Sequence, residues 1–316
     1  MARAEFRIGD VRIPSMALGT MYFGSAVAEG TAMACLDAAY DLGARFWDTA
    51  NNYAFWAGGV GDESEQTIGR WLADRGSAAR ERVVLATKVG ARPRTTAGGL
   101  EDVLGLSRPA IRAQAHDSLR RLQVDYVDVL YAHIDDHTVP LAETIGALDE
   151  LVDEGKVREI AASNLTAPRI TEALTVPVHH RYAAVQSRFT YLRPKPGADL
   201  APHVLLDDDV VALCAEHRMT ALGYSPLLSG AYDRDDRPLP EEYVAGGPAE
   251  TAVSTVSGSH GLTRGQAVLA WMVGRTNPVV PVVGVSSAQQ VQQAWSAVTT
   301  ELTDSDLALL DGTRRA

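Results

Sequence analysis

Four side chains that can handle protons stand where short apolar runs end. Ala44-Arg45-Phe46-Trp47 reads as a short buried strand; Asp48 closes it, and Tyr53 follows five positions later in a polar, turn-prone loop. Val83-Val84-Leu85-Ala86-Thr87 delivers Lys88, and the run Tyr126 to Ala132 delivers His133. Singly, each residue type is usually structural. If all these strands run parallel in one barrel, their carboxyl ends meet on one face and the four side chains converge.

Together they form a proton-transfer device. A phenol titrates at about 10 in water and is a poor acid at neutral pH. A lysine ammonium beside it is expected to stabilise the phenolate and lower that value, and an aspartate paired with the lysine holds it charged and in place. A neutral histidine can orient a carbonyl oxygen next to the phenol. The set suits protonation of a carbonyl oxygen while hydride arrives at its carbon, with Tyr53 as the donor.

The elements that must position these residues follow a repeating cycle. Phe6, Ile8, Val11 and Ile13 bracket Gly9-Asp10 as in a small hairpin. Eight candidate strands follow: Met16–Thr20, Arg45–Asp48, Val83–Lys88, Tyr126–His133, Val157–Ala162, Ala183–Gln186, Thr220–Tyr224 and Val279–Val282. Between them lie stretches with helical apolar spacing: Thr31–Leu42, Glu65–Arg75 with Asp62 or Ser64 as cap, Ser107 to about Leu122, Leu141–Glu154, Pro168–Leu174 and Asp207–His217. Two more, Ala249–Gly258 and Thr263–Val273, precede the eighth strand, and helices Ser287–Ala297 and Asp304–Asp311 follow it. Eight strands alternating with helices predict one α/β domain over residues 1–316, a (β/α)₈ TIM barrel with an N-terminal β-hairpin and extra C-terminal helices. A doubly wound sheet would want a Gly-rich fingerprint after the first strand, and Leu18-Gly19-Thr20-Met21-Tyr22-Phe23-Gly24 does not spell one.

Bulk properties narrow the function classes. The net charge of −11, from 29 basic and 40 acidic residues, argues against a nucleic-acid or anionic-membrane surface. No apolar run approaches the roughly 20 residues of a membrane helix. Met1-Ala2-Arg3-Ala4-Glu5 lacks the apolar core of a secretory signal, so a cytoplasmic location is expected. Cys35 and Cys214, far apart, fit no metal motif and read as two buried thiols. His133-Ile134-Asp135-Asp136-His137 is the one candidate metal loop, and it reads as one functional histidine beside a solvated acidic turn, so no metal is expected.

These residues resemble the aldo-keto reductase superfamily. Gly43 to Tyr53 looks like its first signature, and Ala86-Thr87-Lys88 and Tyr131-Ala132-His133 match the segments carrying its lysine and histidine. Gly155 to Asn164 resembles the strand and polar pair that hold a nicotinamide carboxamide, and Gln186 falls at a third carboxamide contact. Gly223-Tyr224-Ser225-Pro226-Leu227-Leu228-Ser229-Gly230 resembles the segment whose tyrosine stacks on the nicotinamide and whose backbone and serines meet the pyrophosphate. The resemblance runs in order from about Gly19 to Leu310.

It implies hydride transfer between a nicotinamide dinucleotide and a small-molecule carbonyl compound, with Asp48, Tyr53, Lys88 and His133 in the catalytic roles. Thr20, Met21, Asp48, Ser163, Asn164, Gln186 and Tyr224 would surround the nicotinamide, and Ser225, Leu227 and Ser229 would meet the pyrophosphate. Gly284, Ser286, Gln290 and Gln293 would lie on the adenine side. There the sequence departs from the pattern: Ser286 stands where arginine or lysine is common, and Ala294 replaces a frequent asparagine. Without a guanidinium the bidentate grip on a 2′-phosphate is lost, although hydroxyl, amide and helix N-terminal N–H groups still bond a phosphate. NADPH is the expected cofactor, with NADH an alternative.

On the substrate side Phe55, Trp56 and His133 would wall an apolar or aromatic pocket. The proline-rich segments Arg188–Leu206 and Ala231–Gly247 read as long loops of the kind that cover binding sites, and Arg188, Tyr191 and Arg193 are candidates to meet an anionic or sugar-like substrate. A non-enzymatic reading stands beside this one. Channel-associated β-subunits resemble the same family and act mainly as binding partners, but usually carry an N-terminal extension, where this chain has about fifteen residues before its barrel.

Overall fold

The hairpin forms between β1 (Phe6–Ile8) and β2 (Val11–Ile13), with Gly9 taking the positive φ that the turn demands. The computed structural model describes residues 5–244 and 246–315; the side chains of Trp56 and Arg315 lie outside the described residues. After the hairpin, strands and helices alternate: β3 (Ala17–Gly19), α1 (Glu29–Leu42), β4 (Phe46–Asp48), α2 (Glu63–Arg75), α3 (Ser77–Arg80), β5 (Val84–Val89), α4 (Arg108–Leu122), β6 (Val127–Ala132), α5 (Leu141–Asp153) and β7 (Val157–Ser163). The second half continues with α6 (Ala167–Leu174), β8 (Ala184–Arg188), α7 (Asp208–Glu216), β9 (Thr220–Tyr224), α8 (Pro248–His260), α9 (Arg264–Gly274), β10 (Val280–Gly284), α10 (Ala288–Thr299) and α11 (Asp304–Arg315).

Strands β3 to β10 pair in sequence order, all parallel, and β10 closes on β3. All eight predicted strands form, within two residues of the expected ends. Helix α3 was not expected, because four residues in a polar stretch leave no apolar periodicity to read. The expected side-chain cap of α2 does not form. Asp62 is drawn to Arg92 (2.6 Å), Ser64 turns inward to the Thr20 carbonyl (2.8 Å), and Glu63 takes the N–H groups of Val60 and Gly61 instead.

The apolar residues sort into two clusters by strand alternation. The larger lies between the barrel and its helices, with Trp47 meeting Trp71 edge-on at 4.8 Å. Phe46, Ala86, Val129, Tyr131, Ala161, Ala184, Leu222 and Val280 fill the barrel interior, and Ile8 and Ile13 of the hairpin join them. The hairpin therefore covers the amino-terminal mouth, where the Glu159 carboxylate accepts from the Asp10 N–H (2.8 Å). Close packing of α2 on α4 depends on Gly69, where a Cβ would come within 2.2 Å of the Arg121 carbonyl oxygen. Cys35 and Cys214 are buried free thiols, and burial pushes the Cys35 thiol up to about 11 and the Cys214 thiol to about 12. No helix among the described residues is long and apolar enough to cross a membrane.

Candidate active site

Alternation by two puts a polar residue in the inward position just above the apolar layer of five strands. Inward Phe46 is followed by Asp48, Ala86 by Lys88, Ala161 by Ser163, Ala184 by Gln186 and Leu222 by Tyr224. Apolar layers below and polar residues above leave the carboxyl-terminal mouth as the end where chemistry can sit.

Asp48 and Lys88 are fully buried and paired through Lys88 Nζ and Asp48 Oδ1. The ammonium donates twice more, to the Thr49 carbonyl (3.0 Å) and to Tyr53 Oη (2.8 Å), so all three of its donors are used. Gln186 Nε2 donates to the other Asp48 oxygen at 2.9 Å. Because the ammonium donates to the phenol oxygen, the phenol's own proton must point elsewhere. Asp48 Oδ1, at 3.5 Å from Tyr53 Oη, is at the outer limit of a hydrogen bond. That proton has only this marginal hydrogen bond and the Tyr53 ring stays partly exposed, so it can be directed to a guest.

His133 lies two residues beyond inward Tyr131. Its ring meets Tyr53 edge-on at 6.0 Å, and its Nδ1 is buried without a hydrogen-bond partner among the described residues. Burial first, then the Lys88 charge and His203, depress its pKa well below the usual imidazole value, so the ring is neutral.

The expectation for Tyr53 needs correction. The lysine was expected to lower the phenol pKa, but Tyr53 is raised well above its ordinary value, by burial first and then by the Asp48 carboxylate. Lys88 is itself lowered, because desolvation outweighs Asp48. The phenol in this state is a fully protonated donor.

Ser163, Asn164, Gln186 and Tyr224 form one hydrogen-bonded group on the neighbouring strands. Ser163 Oγ donates to the Gln186 carbonyl (2.8 Å), Asn164 Nδ2 to Ser163 Oγ and the His133 carbonyl (both 3.2 Å), and Tyr224 Oη to Asn164 Oδ1 (2.7 Å). Two residues with no signal of their own in the sequence join them. His203 Nδ1 lies 3.0 Å from Tyr224 Oη, and the Val204 N–H reaches Asn164 Oδ1 at 3.3 Å. They arrive because Leu205 bridges to Arg188, a long-range pairing with no local signature.

Thr20 is elsewhere. It follows inward-facing Gly19 and so turns toward the helices, where its hydroxyl is committed to Ser64 Oγ (2.8 Å) and the Asp48 carbonyl (3.0 Å). Met21 and Phe55 are partly buried in the neighbouring loops. Past Tyr224, Ser225, Leu228 and Ser229 all adopt left-handed backbone conformations, a strained run of non-glycine residues. At the start of α10 Ser287 caps Gln290, whose side chain accepts from the Ser286 N–H (2.7 Å); Ser286 and Gln290 are exposed, as are Gly284 and Gln293. Of the acidic loop, Asp135 pairs with Arg169 (2.8 Å), and Asp136 takes the Leu106 N–H (2.8 Å) and Thr138.

The model of the Aldo/keto reductase family matches residues 15–315. Aldo-keto reductase str7 of Strobilurus tenacellus is 28% identical, over 96% of this chain and 89% of its own. Aldo-keto reductase yakc [NADP(+)] of Schizosaccharomyces pombe is also 28% identical, over 94% and 87%. Among solved structures, an aldo-keto reductase from Klebsiella pneumoniae in complex with NADPH superposes with a TM-score of 0.78 at 25% identity, over 99% of this chain and 95% of that one.

Proposed function

The chain belongs to the aldo/keto reductase family, and from that premise we propose that it transfers a hydride between NADPH and an aldehyde or ketone carbonyl, with Tyr53 as proton donor. The observation that carries this reading is the contact chain from buried Asp48 through Lys88 to the partly exposed phenol of Tyr53. The cofactor choice follows the relatives: the fission-yeast one is named for NADP(+), and the Klebsiella one holds NADPH.

The residues present fit a nicotinamide dinucleotide. Asn164, Ser163 and Gln186 offer amide and hydroxyl groups for its carboxamide. The left-handed run at Ser225, Leu228 and Ser229 has the strained backbone that clusters at ligand clamps. The exposed α10 N-terminus at Ser286 and Ser287 favours a phosphate. When bound, the dinucleotide supplies or accepts the hydride.

The chain's own residues handle the proton. His133, neutral, and Tyr53 converge on the place where a carbonyl oxygen would sit. The Tyr53 phenol gives its proton to that oxygen as negative charge develops there, and the Lys88 ammonium, already hydrogen-bonded to the phenol oxygen, stabilises the phenolate left behind. Asp48 keeps that ammonium fixed and charged. Phe55 borders the substrate side.

Fluorescence titration with NADPH and with NADH, followed by aldehyde reduction with Tyr53→Phe, tests the proposal. We expect NADPH to bind, and turnover by the variant to fall by roughly a hundred- to ten-thousand-fold with cofactor affinity kept. A wild type that binds neither dinucleotide sinks the nicotinamide site. A variant as active as wild type removes Tyr53 from the acid's role. Tight binding with negligible turnover in both would favour a regulatory subunit.

A further inference from the structure

The structure separates three residues that the sequence left equivalent as anion contacts. Tyr191 is buried, its hydroxyl bonded to the Leu310 carbonyl (2.9 Å) and Thr313 Oγ1 (2.8 Å), so it anchors α11. Arg193 is paired with Asp208 at the start of α7, a carboxylate it shares with Arg275 and Arg314. Arg188 is different. It forms no ion pair among the described residues, the side chain it approaches is Tyr243, and its Nε is buried without a partner.

Its position gives the missing partner a place. Arg188 ends β8, two residues past Gln186, so by alternation it takes the inward position one layer above the amide that touches Asp48. Opposite it in register stands Tyr224, whose hydroxyl meets both Asn164 and His203. The guanidinium carbon lies 5.6 Å from the ring centroid of Tyr243, a residue 3% exposed whose buried hydroxyl has no neighbour to bond other than this guanidinium among the described residues. A half-buried cation and a buried hydroxyl, both with unused hydrogen-bonding capacity, border the mouth beside the proposed reaction centre. Leaving such groups unpaired is costly, and a planar guanidinium matches a carboxylate's two oxygens.

We propose that Arg188, with the Tyr243 hydroxyl, forms an anion subsite for the substrate, and that the preferred substrates are carbonyl compounds that also carry a carboxylate. This rests on the reductase reading above. The cofactor's phosphates are assigned there to the segment after β9 and the start of α10, which leaves the β8 cation to the substrate.

The test compares two charged aldehydes, 4-carboxybenzaldehyde and succinic semialdehyde, with their uncharged methyl esters, using wild type, Arg188→Gln and Arg188→Lys. Wild type should prefer at least one acid over its ester in kcat/KM by roughly ten-fold or more, and Arg188→Gln should abolish that preference, mainly through KM. Arg188→Lys should restore part of it, since the charge remains and the fork is lost. NADPH affinity, measured by fluorescence titration, should be the same in all three. Equal handling of acids and esters by wild type overturns the subsite, as does an Arg188→Gln variant that keeps the preference. A fall in NADPH affinity in Arg188→Gln would assign the cation to a cofactor phosphate instead. Failure of wild type to reduce any of the four aldehydes would sink the reductase reading itself, a result distinct from any of these.

Discussion

Two carboxylates lie buried in strands of the same barrel and meet different partners. Asp128, near the start of β6, shares the helix-facing side of its strand with Leu130 and has a side chain 3% exposed. It accepts from the Leu85 N–H (2.9 Å), and pairs with Arg80 (3.0 Å) and Arg158 (3.2 Å), whose guanidiniums both lie over the Tyr126 ring. Asp48, at the other end of the barrel, has a side chain with no exposure and meets a lysine, an amide and a distant phenol. None of the donors around Asp128 can be deprotonated near neutral pH. Around Asp48 two of the three can exchange a proton, and one of those is partly open to solvent. Burial of a charge alone is weak evidence of either stability or chemistry. The difference lies in which partners can titrate and whether a guest can reach them.

The largest effect should come from Lys88→Met. Removing the ammonium takes away both the phenolate's stabiliser and the counter-charge of Asp48. Turnover should drop by roughly a hundred- to ten-thousand-fold in protein that still binds cofactor. Asp128→Asn should do the reverse. It leaves Arg80, itself 10% exposed, against a neutral amide, and should destabilise the fold by about 3–5 kcal/mol in denaturant unfolding. Its turnover per folded molecule should stay within about two-fold of wild type, in line with a site acting only on stability. If Asp128→Asn loses turnover to the same degree as Lys88→Met, the distinction between the two carboxylates collapses.

The barrel was legible because each strand is a short apolar run closed by a polar residue or a glycine, and because such runs recur at helical distances. The inward set Asp48, Lys88 and Gln186 was legible for the same reason, since each ends a run. What was hidden depends on contacts far apart in sequence. Thr20 lies one residue past an inward position, and only the packing of Ser64 against it shows that it faces α2. Tyr191 looks like a loop aromatic until Thr313, over a hundred residues away, bonds to it. The direction of the Tyr53 pKa is not legible in the sequence, because a lysine neighbour is visible there whereas desolvation is not. His203 stands in a long loop with no periodicity, and the bridge of Leu205 to Arg188 alone brings it to Tyr224.

A smaller effect separates the two ends of the barrel by pH. The folded-state pKa of His133 is depressed well below the ordinary value of about 6.5, by burial, by Lys88 and by His203. Below about pH 6.5 the unfolded chain therefore binds a proton that the folded chain refuses, so stability falls as pH drops and the loss is absent above that value. His133→Gln should remove part of this acid-side slope in thermal unfolding between about pH 5 and 7. Asp128→Asn should leave the slope unchanged, because its arginine partners stay charged throughout. A slope identical in wild type and His133→Gln would mean that the imidazole is protonated in the fold, and the neutral hydrogen-bonding role given to it would fail.

The smallest expected effect concerns the far end of the proposed cofactor site. Ser286 is exposed at the start of α10, with its hydroxyl 3.2 Å from Gln290 Oε1 and its backbone N–H bonded to the same oxygen. A phosphate arriving there meets a neutral hydroxyl and the partial positive charge of a helix N-terminus, a modest attraction that salt screens. Ser286→Arg would add a fixed cation and a bidentate donor. NADPH should then bind about ten-fold tighter at low salt, with the gain shrinking as ionic strength rises, while NADH affinity stays level. Turnover with saturating cofactor should not change, because α10 touches none of the four proton-handling residues. If the substitution leaves NADPH affinity unmoved at every salt concentration, the 2′-phosphate does not rest at this helix end, and the adenine half of the proposed site must be placed elsewhere.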